Sequence, residues 1–204
     1  MKRLAVLSVL FLTASSMAFA GGLIAFGLHA NGASINVSGE LKDAYGPGYG
    51  GGAHVDFNLP VISLRVSGDY ISFSPDNDKY RQILARLVGG TAAAGWAIDG
   101  GSISILSANA NVKWGLLPLP IVKPYLTGGV GLARLGVSDA TVKYNGVSQG
   151  SLPGVKAQTQ TAFNVGLGVD FSIGVTLFIE AKYTWILTEG ETSTYAPVSI
   201  GITF

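Results

Sequence analysis

Side chains that alternate with a period of two residues constrain this chain more than any other feature. The last segment shows the pattern on two opposite faces, with Val198, Ile200, Ile202 and Phe204 on one and Pro197, Ser199, Gly201 and Thr203 on the other. Successive side chains of a strand point to opposite sides, so this segment is predicted to be a two-faced β-strand running to Phe204. Chain ends fray unless something holds them, so we expect this strand to be paired.

The same alternation recurs in eight segments of the chain. They cover residues 23–31, 51–59, 62–71, 103–115, 123–135, 161–171, 176–186 and 195–204. Each is close to the roughly 9–11 residues that a tilted strand needs to cross a bilayer. An even number of strands suits a closed antiparallel barrel, in which no strand edge is left unpaired in lipid.

The predicted connections alternate in length. Those after the second, fourth and sixth strands are short, at residues 60–61, 116–122 and 172–174, and those after the other strands are longer and more polar. Bacterial membrane barrels have short periplasmic turns and longer outer loops. The fold class predicted is therefore all-β, an eight-stranded antiparallel up-and-down transmembrane β-barrel with both chain ends on the periplasmic side.

The composition agrees with a barrel surrounded by lipid. Charged residues make up 12% of the chain, against about 25% in soluble domains, and 29 of the 204 residues are glycine. Without Lys2 and Arg3 the 13 basic residues become 11, against 12 acidic residues, so the net charge gives no reason to expect nucleic acid as a partner. The chain has no cysteine, which excludes a disulfide scaffold.

The first twenty residues have the order of a secretory signal peptide. Lys2 and Arg3 supply the charged region, residues 4–12 the apolar run, and Ala18-Phe19-Ala20 the cleavage site. The apolar run is shorter than the roughly 20 residues of a membrane-spanning helix. We therefore expect residues 1–20 to be removed and residues 21–204 to form one barrel domain.

The face opposite the apolar one carries small and ionisable side chains. A tight turn at residues 60–61 would place Asp56 opposite Arg65, and unlike charges in that position stabilise a strand pair. Six charged side chains are predicted to point inward in the periplasmic half, three of each sign: Asp56, Arg65, Lys113, Asp170, Glu180 and Lys182. We expect them to form a neutral ion cluster that plugs a narrow lumen, with a proton or ion path as the alternative.

Aromatic residues on the outward face fall into two bands. Phe57, Trp114, Phe171 and Phe204 lie at the periplasmic ends of strands, and Tyr70, Tyr183 and Trp185 lie near the outer ends. Aromatic girdles of this kind mark the two membrane interfaces. The alternative, a soluble sandwich or lipocalin-like barrel, would turn its apolar face inward and carry more charge on the solvent face.

An enzymatic function and a metal site have little support in the sequence. His54, Ser67 and Asp69 or Asp56 offer the residue types of nucleophilic catalysis, but they are predicted to point into the lumen. His29 is also predicted to point inward, and the two histidines lack ligand spacing. We expect no catalysis, no metal and no cofactor.

Three outer loops carry local signals. Apolar residues recur at helical spacing over residues 77–88, with Ser74 and Pro75 as the expected start and Gly89-Gly90 as the stop, so a short amphipathic helix is predicted in the second outer loop. Asn145-Gly146 in the third favours a type I′ hairpin turn and a protruding β-ribbon. The first loop, with glycines between residues 46 and 52, is expected to be flexible.

Two segments resemble a known family. Residues 123–131, Lys-Pro-Tyr-Leu-Thr-Gly-Gly-Val-Gly, and residues 180–183, Glu-Ala-Lys-Tyr, are similar to strands of the small outer-membrane barrels of the opacity-protein and OmpA/OmpX-like group. The resemblance covers residues 21–204. It implies eight strands in the bacterial outer membrane, contact with lipid and lipopolysaccharide, and insertion by the barrel-assembly machinery, with the face of Val198, Ile200, Ile202 and Phe204 as the assembly signal.

The resemblance implies no single activity. A structural or surface-interaction barrel with a plugged lumen is the expected function. The alternatives are a porin-like channel for small solutes, a conduit for hydrophobic molecules of the OmpW kind, and, less in keeping with the sequence, a lipid A-modifying enzyme. The surface partner is left open.

Overall fold

The computed structural model describes residues 22–36, 44–59, 62–88, 95–117, 119–187 and 192–204. Within these ranges the chain forms eleven strands and one helix. The signal peptide and its cleavage site, the expected turn at residues 60–61 and the expected helix stop at Gly89-Gly90 lie outside the described residues.

Eight of the strands close into an antiparallel barrel. In chain order the elements are β1 (Ile24–Asn36), β2 (Tyr45–Asn58), β3 (Ile62–Pro75), α1 (Asn77–Val88), β4 (Trp96–Gly100), β5 (Ile103–Gly115), β6 (Val122–Val137), β7 (Ala140–Tyr144), β8 (Val147–Leu152), β9 (Val155–Ile173), β10 (Val175–Leu187) and β11 (Thr192–Thr203). Around the barrel the order is β1-β11-β10-β9-β6-β5-β3-β2, and β11 pairs back with β1. The predicted fold class is confirmed.

The outward face of the barrel is apolar. Leu28, Leu167 and Ile200 are each more than half exposed, and the alternate positions beside them are buried or partly buried. Large aliphatic side chains in that position need lipid around them, because a soluble protein buries such a face. The soluble-barrel alternative therefore does not hold. Among the described helices, none is long and apolar enough to span a membrane.

Several strands extend further at the outer end than the alternation predicted. β1 continues to Asn36, β3 to Pro75, and β9 begins at Val155. The first loop is also shorter, because β2 begins at Tyr45 and includes the glycines expected to be flexible. The reason is packing: a Cβ at Gly48 would collide with the ring of Phe73, so glycine lets this strand lie against that bulky inward side chain.

The predicted helix in the second outer loop is confirmed over Asn77–Val88, but the residue expected to cap it, Ser74, is not the cap. Ser74 and Pro75 belong to β3. Asp76 caps the helix instead, since its carboxylate accepts hydrogen bonds from the backbone N–H groups of Asp78 at 3.0 Å and Lys79 at 3.3 Å. Because β3 continues to Pro75, the capping residue lies two positions later than expected, at Asp76.

The predicted ribbon in the third outer loop is also present, as part of a sheet in the order β4-β7-β8. Asn145 with φ 49° and Gly146 with φ 80° form its turn, as the sequence predicted for a type I′ hairpin. The strand β4 was not predicted. The expectation of a long loop after the seventh barrel strand was wrong, because β10 and β11 leave only residues 188–191 between them.

Hydrogen bonds fix these outer elements to each other. The Asn77 side chain accepts a hydrogen bond from the backbone N–H of Ile98 at 2.8 Å, and the Arg81 side chain donates to the carbonyl of Trp96 at 3.0 Å. Lys79 donates to the carbonyl of Tyr45 at the rim of the barrel. The helix and the small sheet are thus held against the barrel mouth.

Candidate functional site in the barrel lumen

All six predicted cluster residues meet in one network inside the lumen, and Asp56 and Arg65 form its centre. The two residues are register partners on β2 and β3. The Arg65 guanidinium donates to both carboxylate oxygens of Asp56, from Nε at 2.7 Å and from Nη2 at 2.8 Å. Both side chains are buried, and a bidentate pair of this kind is stronger than a single charged hydrogen bond.

The other four residues close the cluster across the lumen. Lys113 donates to both carboxylate oxygens of Asp170 at 3.0 and 3.2 Å, although a whole strand, β6, separates β5 from β9. Lys182 pairs with Glu180 at 3.0 Å. Longer contacts of 3.8 Å between Arg65 and Glu180 and of 3.9 Å between Lys113 and Asp56 connect the pairs into one network.

Tyr125 belongs to this network although the sequence analysis did not include it. Its hydroxyl donates to Glu180 at 3.0 Å, and the Lys113 ammonium lies 4.0 Å from the centre of its ring. A Cβ at Gly168 would fall 2.5 Å from the Tyr125 hydroxyl. The signal was present in the sequence, since Tyr125 alternates with the outward Leu126 and faces glycine on the neighbouring strand.

Beside the ion cluster, four side chains from four strands form a hydrogen-bonded chain that we call the histidine relay: Thr203, His54, His29 and Asp69. The Thr203 hydroxyl lies 2.9 Å from His54 Nε2, the two Nδ1 atoms of His54 and His29 are 3.3 Å apart, and His29 Nε2 lies 2.5 Å from the Asp69 carboxylate. Phe178 packs edge-on against both imidazoles. The sequence placed these residues inward but not in contact.

A small polar cavity adjoins the relay. Its volume is about 10 Å³, measured as the space open to the centre of a water molecule, and Asp69, Lys182 and Ser199 are among its lining residues. Asn109 and Asn164 also line it, and their amide oxygens accept no hydrogen bond from the described residues. The cavity has room for about one water molecule, far too little for a solute.

The outer half of the lumen is closed by apolar side chains, which corrects the expectation of a small or ionisable inward face throughout. The cluster of buried residues there contains Ala33, Ile71, Phe73, Ile103, Ile105, Ala133, Ala162, Ile186 and Tyr195. Phe73 is fully buried. The alternation placed Ile71, Ile105 and Ile186 on the inward face, but the sequence analysis did not identify an apolar cluster there. We call this set the apolar plug.

The aromatic residues predicted as girdles lie on the outward face. Phe57, Trp114, Phe204, Tyr70 and Tyr183 are exposed, and Phe171 and Trp185 are partly buried. The rings of Tyr183 and Trp185 pack edge-on, with their centres 4.8 Å apart. The outward positions of Val198 and Ile200 continue the same face towards Phe204.

The arrangement of the candidate nucleophiles differs from that of a hydrolase. Ser67 donates to the Asp69 carboxylate at 3.0 Å and not to an imidazole, so the serine considered as a candidate nucleophile lies beside an acid instead of a base. Among the described residues, no three His, Cys, Asp or Glu side chains are grouped so as to hold a metal ion. What the lumen offers chemically is buried ion pairs, a chain of hydrogen bonds and a cluster of buried apolar side chains.

Comparisons with known proteins agree with this architecture. The crystal structure of Neisserial surface protein A matches with a TM-score of 0.56 and 17% identity, over 89% of this chain and 96% of that one. A major outer membrane protein from Thermus thermophilus matches with a TM-score of 0.50 and 8% identity, over 90% of this chain and 99% of that one. At these identities the likeness concerns the fold alone.

The N-terminal β-barrel domain of Pseudomonas aeruginosa OprF also matches, with a TM-score of 0.45 and 16% identity over 88% of this chain and 97% of that domain. No curated protein matches the chain. A family model described as outer membrane protein beta-barrel domain matches residues 4–204. With its closed eight-stranded barrel and apolar outer face, the chain is therefore a bacterial outer-membrane protein and belongs to the outer membrane protein beta-barrel domain family.

Proposed function

We propose that this protein is a sealed outer-membrane barrel with a structural or surface-contact role, and that it does not conduct solutes or catalyse a reaction. The observation that carries the proposal is the filling of the lumen in successive layers. The ion cluster and the histidine relay lie side by side in the periplasmic half, and the apolar plug closes the outer half.

Each layer opposes conduction for a different reason. The charges of the ion cluster are paired and buried, so they offer no free site to a passing ion. The apolar plug offers an ion no hydration, and a charge in such surroundings is strongly disfavoured. A channel would need both layers to open together.

The contact role is assigned to the elements outside the barrel. The helix α1 and the sheet β4-β7-β8 are held at the mouth by hydrogen bonds, which suits a surface that meets other molecules at the outer face. Arg134, exposed at the outer end of β6, together with Arg81 and Arg86 on α1, suits contact with lipopolysaccharide phosphates.

Two further roles accompany the proposal. The aromatic girdles anchor the barrel at the two membrane interfaces. The outward face of Val198, Ile200, Ile202 and Phe204 is the signal for the barrel-assembly machinery. The signal peptide at residues 1–20 directs export through the periplasm.

Single-channel recording of refolded protein in planar bilayers tests the sealed lumen. A heat-dependent shift on a gel first establishes that the sample is folded. We expect no conductance steps from wild type, and none from Glu180→Gln alone, because the apolar plug remains closed. A variant with Phe73→Ala and Ile105→Ala is expected to give steps only when Glu180→Gln is added.

Other outcomes would replace the proposal. Reproducible wild-type steps whose size changes with Glu180→Gln would make the protein a small-solute channel. Entry of a hydrophobic dye into liposomes that contain folded wild type, beyond that into empty liposomes, would favour the conduit. Release of acyl chains from lipopolysaccharide would favour the enzyme.

A further inference from the structure

The geometry of the histidine relay limits how many protons its two imidazoles can carry. A hydrogen bond between His54 Nδ1 and His29 Nδ1, 3.3 Å apart, requires one nitrogen to carry a proton and the other to be bare. If both rings were charged, two N–H groups would point at each other. The folded protein can therefore charge at most one of the two imidazoles while the relay is intact.

The ionised Asp69 sets the direction of the relay. An Asp69 carboxylate can only accept, so His29 Nε2 carries the proton between them. In the neutral ring His29 Nδ1 is then an acceptor, His54 Nδ1 donates to it, and His54 Nε2 accepts from the Thr203 hydroxyl. Each of the three hydrogen bonds uses one proton, and all three point from Thr203 towards Asp69.

The relay lies across the seam of the barrel, where the first strand β1 meets the last strand β11. His54 starts from β2 and reaches over β1 to Thr203 on β11, while His29 on β1 holds Asp69 on β3. Four strands on both sides of the closure are thus joined inside the lumen. We propose that the histidine relay is a proton-sensitive latch that fastens the barrel seam and that is released when both imidazoles are charged.

The charged groups around the relay add to its sensitivity. Arg65 on β3 and Lys113 on β5 act on His54 as like charges, and Asp56 on β2 acts in the opposite sense. Lys182 on β10 acts on Asp69, and Glu180 on the same strand pairs with Lys182. These charged groups already neutralise each other in pairs. If both imidazoles became charged, the second positive charge would therefore have no unpaired carboxylate beside it.

The histidine content of the chain simplifies a test of this proposal by pH titration. Its two histidines are the two of the relay. Histidine is the side chain that ordinarily titrates between about pH 5 and 8, whereas ordinary carboxyl groups titrate below about 5. A change of stability with pH in that window therefore reports on the relay.

The experiment is urea unfolding of the refolded full chain in micelles, at several pH values from about 8 down to about 5. Below about pH 6.5 the unfolded chain takes up two protons on its imidazoles and the folded chain at most one. Stability therefore falls as the pH falls. Where both imidazoles of the unfolded chain are charged, the folding equilibrium constant is expected to decrease by at least about tenfold per pH unit.

Three variants give the controls. His54→Gln keeps a hydrogen-bonding side chain but removes the second titrating ring, so most of the pH dependence should disappear. Thr203→Ser keeps the hydroxyl and should behave as wild type, whereas Thr203→Val removes it and should loosen the latch at neutral pH. An unchanged pH dependence in His54→Gln would overturn the proposal.

Nitrogen NMR of the wild-type imidazoles decides the matter even if a variant does not fold. We expect a proton on Nδ1 of His54 and on Nε2 of His29 at about pH 8. Two fully charged imidazoles in folded protein at about pH 5.5, with stability unchanged, would show that the relay is no latch.

Discussion

The imidazole of His54 crosses the backbone of β1 directly over Gly27. A Cβ on Gly27 would collide with the Cε1 and Nε2 atoms of that ring and would lie 2.5 Å from the carbonyl oxygen of Ile202. Glycine at this position is what lets His54 reach Thr203 on the other side of the seam. The backbone of one strand and the side chain of another are thus fitted to each other.

Replacing Gly27 with alanine is therefore expected to destabilise the barrel by about 1–3 kcal/mol, the usual cost of overpacking. Gly32→Ala is the matched control, because it lies on the same strand and a Cβ there meets nothing within 4 Å. It should change stability by no more than about 0.5 kcal/mol. Urea unfolding followed by tryptophan fluorescence measures both, and equal effects would contradict the close fit at Gly27.

Arg65→Met tests the ion cluster as a structural element. Methionine keeps much of the apolar stem but leaves Asp56 as a buried charge without its bidentate partner. The expected loss of stability is about 3–5 kcal/mol. Asp78→Asn breaks the exposed pair with Arg81 instead and should cost no more than about 1 kcal/mol. A loss below about 1 kcal/mol for Arg65→Met would show that the lumen rehydrates the charge without penalty.

Gly146→Ala is expected to weaken the β7–β8 ribbon and leave the barrel intact. Gly146 has φ 80°, a backbone conformation that costs other residues about 1–2 kcal/mol. Gly150→Ala, on the same ribbon, places its Cβ in open space and should have little effect. Amide hydrogen exchange is the measurement: Gly146→Ala should speed exchange at residues 140–152, with the barrel strands unchanged. Equal exchange in the two variants would exclude a role for this turn.

The ion pair between Asp99 and Lys143 should be visible in an acid titration of the outer sheet. The Lys143 ammonium, 2.6 Å away, holds the pKa of the Asp99 carboxyl below its usual range. The ion pair therefore stabilises the sheet at pH values above the ordinary carboxyl pKa of about 3.9. This stabilisation is lost as the pH falls through the lowered pKa of Asp99. Carboxyl NMR should show the midpoint of Asp99 rising in Lys143→Gln. It should stay in place in Lys156→Gln, and an unmoved midpoint in both would contradict the pairing.

The register at the second hairpin was predictable because it depends on neighbours in sequence. Asp56 and Arg65 are register partners only nine residues apart, and counting residues along the two strands suffices to pair them. The Asn145-Gly146 turn was predictable for the same reason, since two adjacent residues determine it. The contact between Lys113 and Asp170 was not predictable in this way. It joins two strands that are separated by β6, so it depends on the width of the lumen and not on neighbours in sequence.

The alternation of the sequence by itself determined which side chains face lipid and which face the lumen, from Leu28 to Ile200, because the geometry of a strand leaves no other choice. Only the tertiary structure decided what the inward side chains do. The relay from Thr203 to Asp69 and the plug around Phe73 exist because barrel closure brings strands distant in sequence within a few ångströms of one axis. No local pattern encodes those distances, since they follow from the number of strands, their stagger and the volumes that fill the space between them.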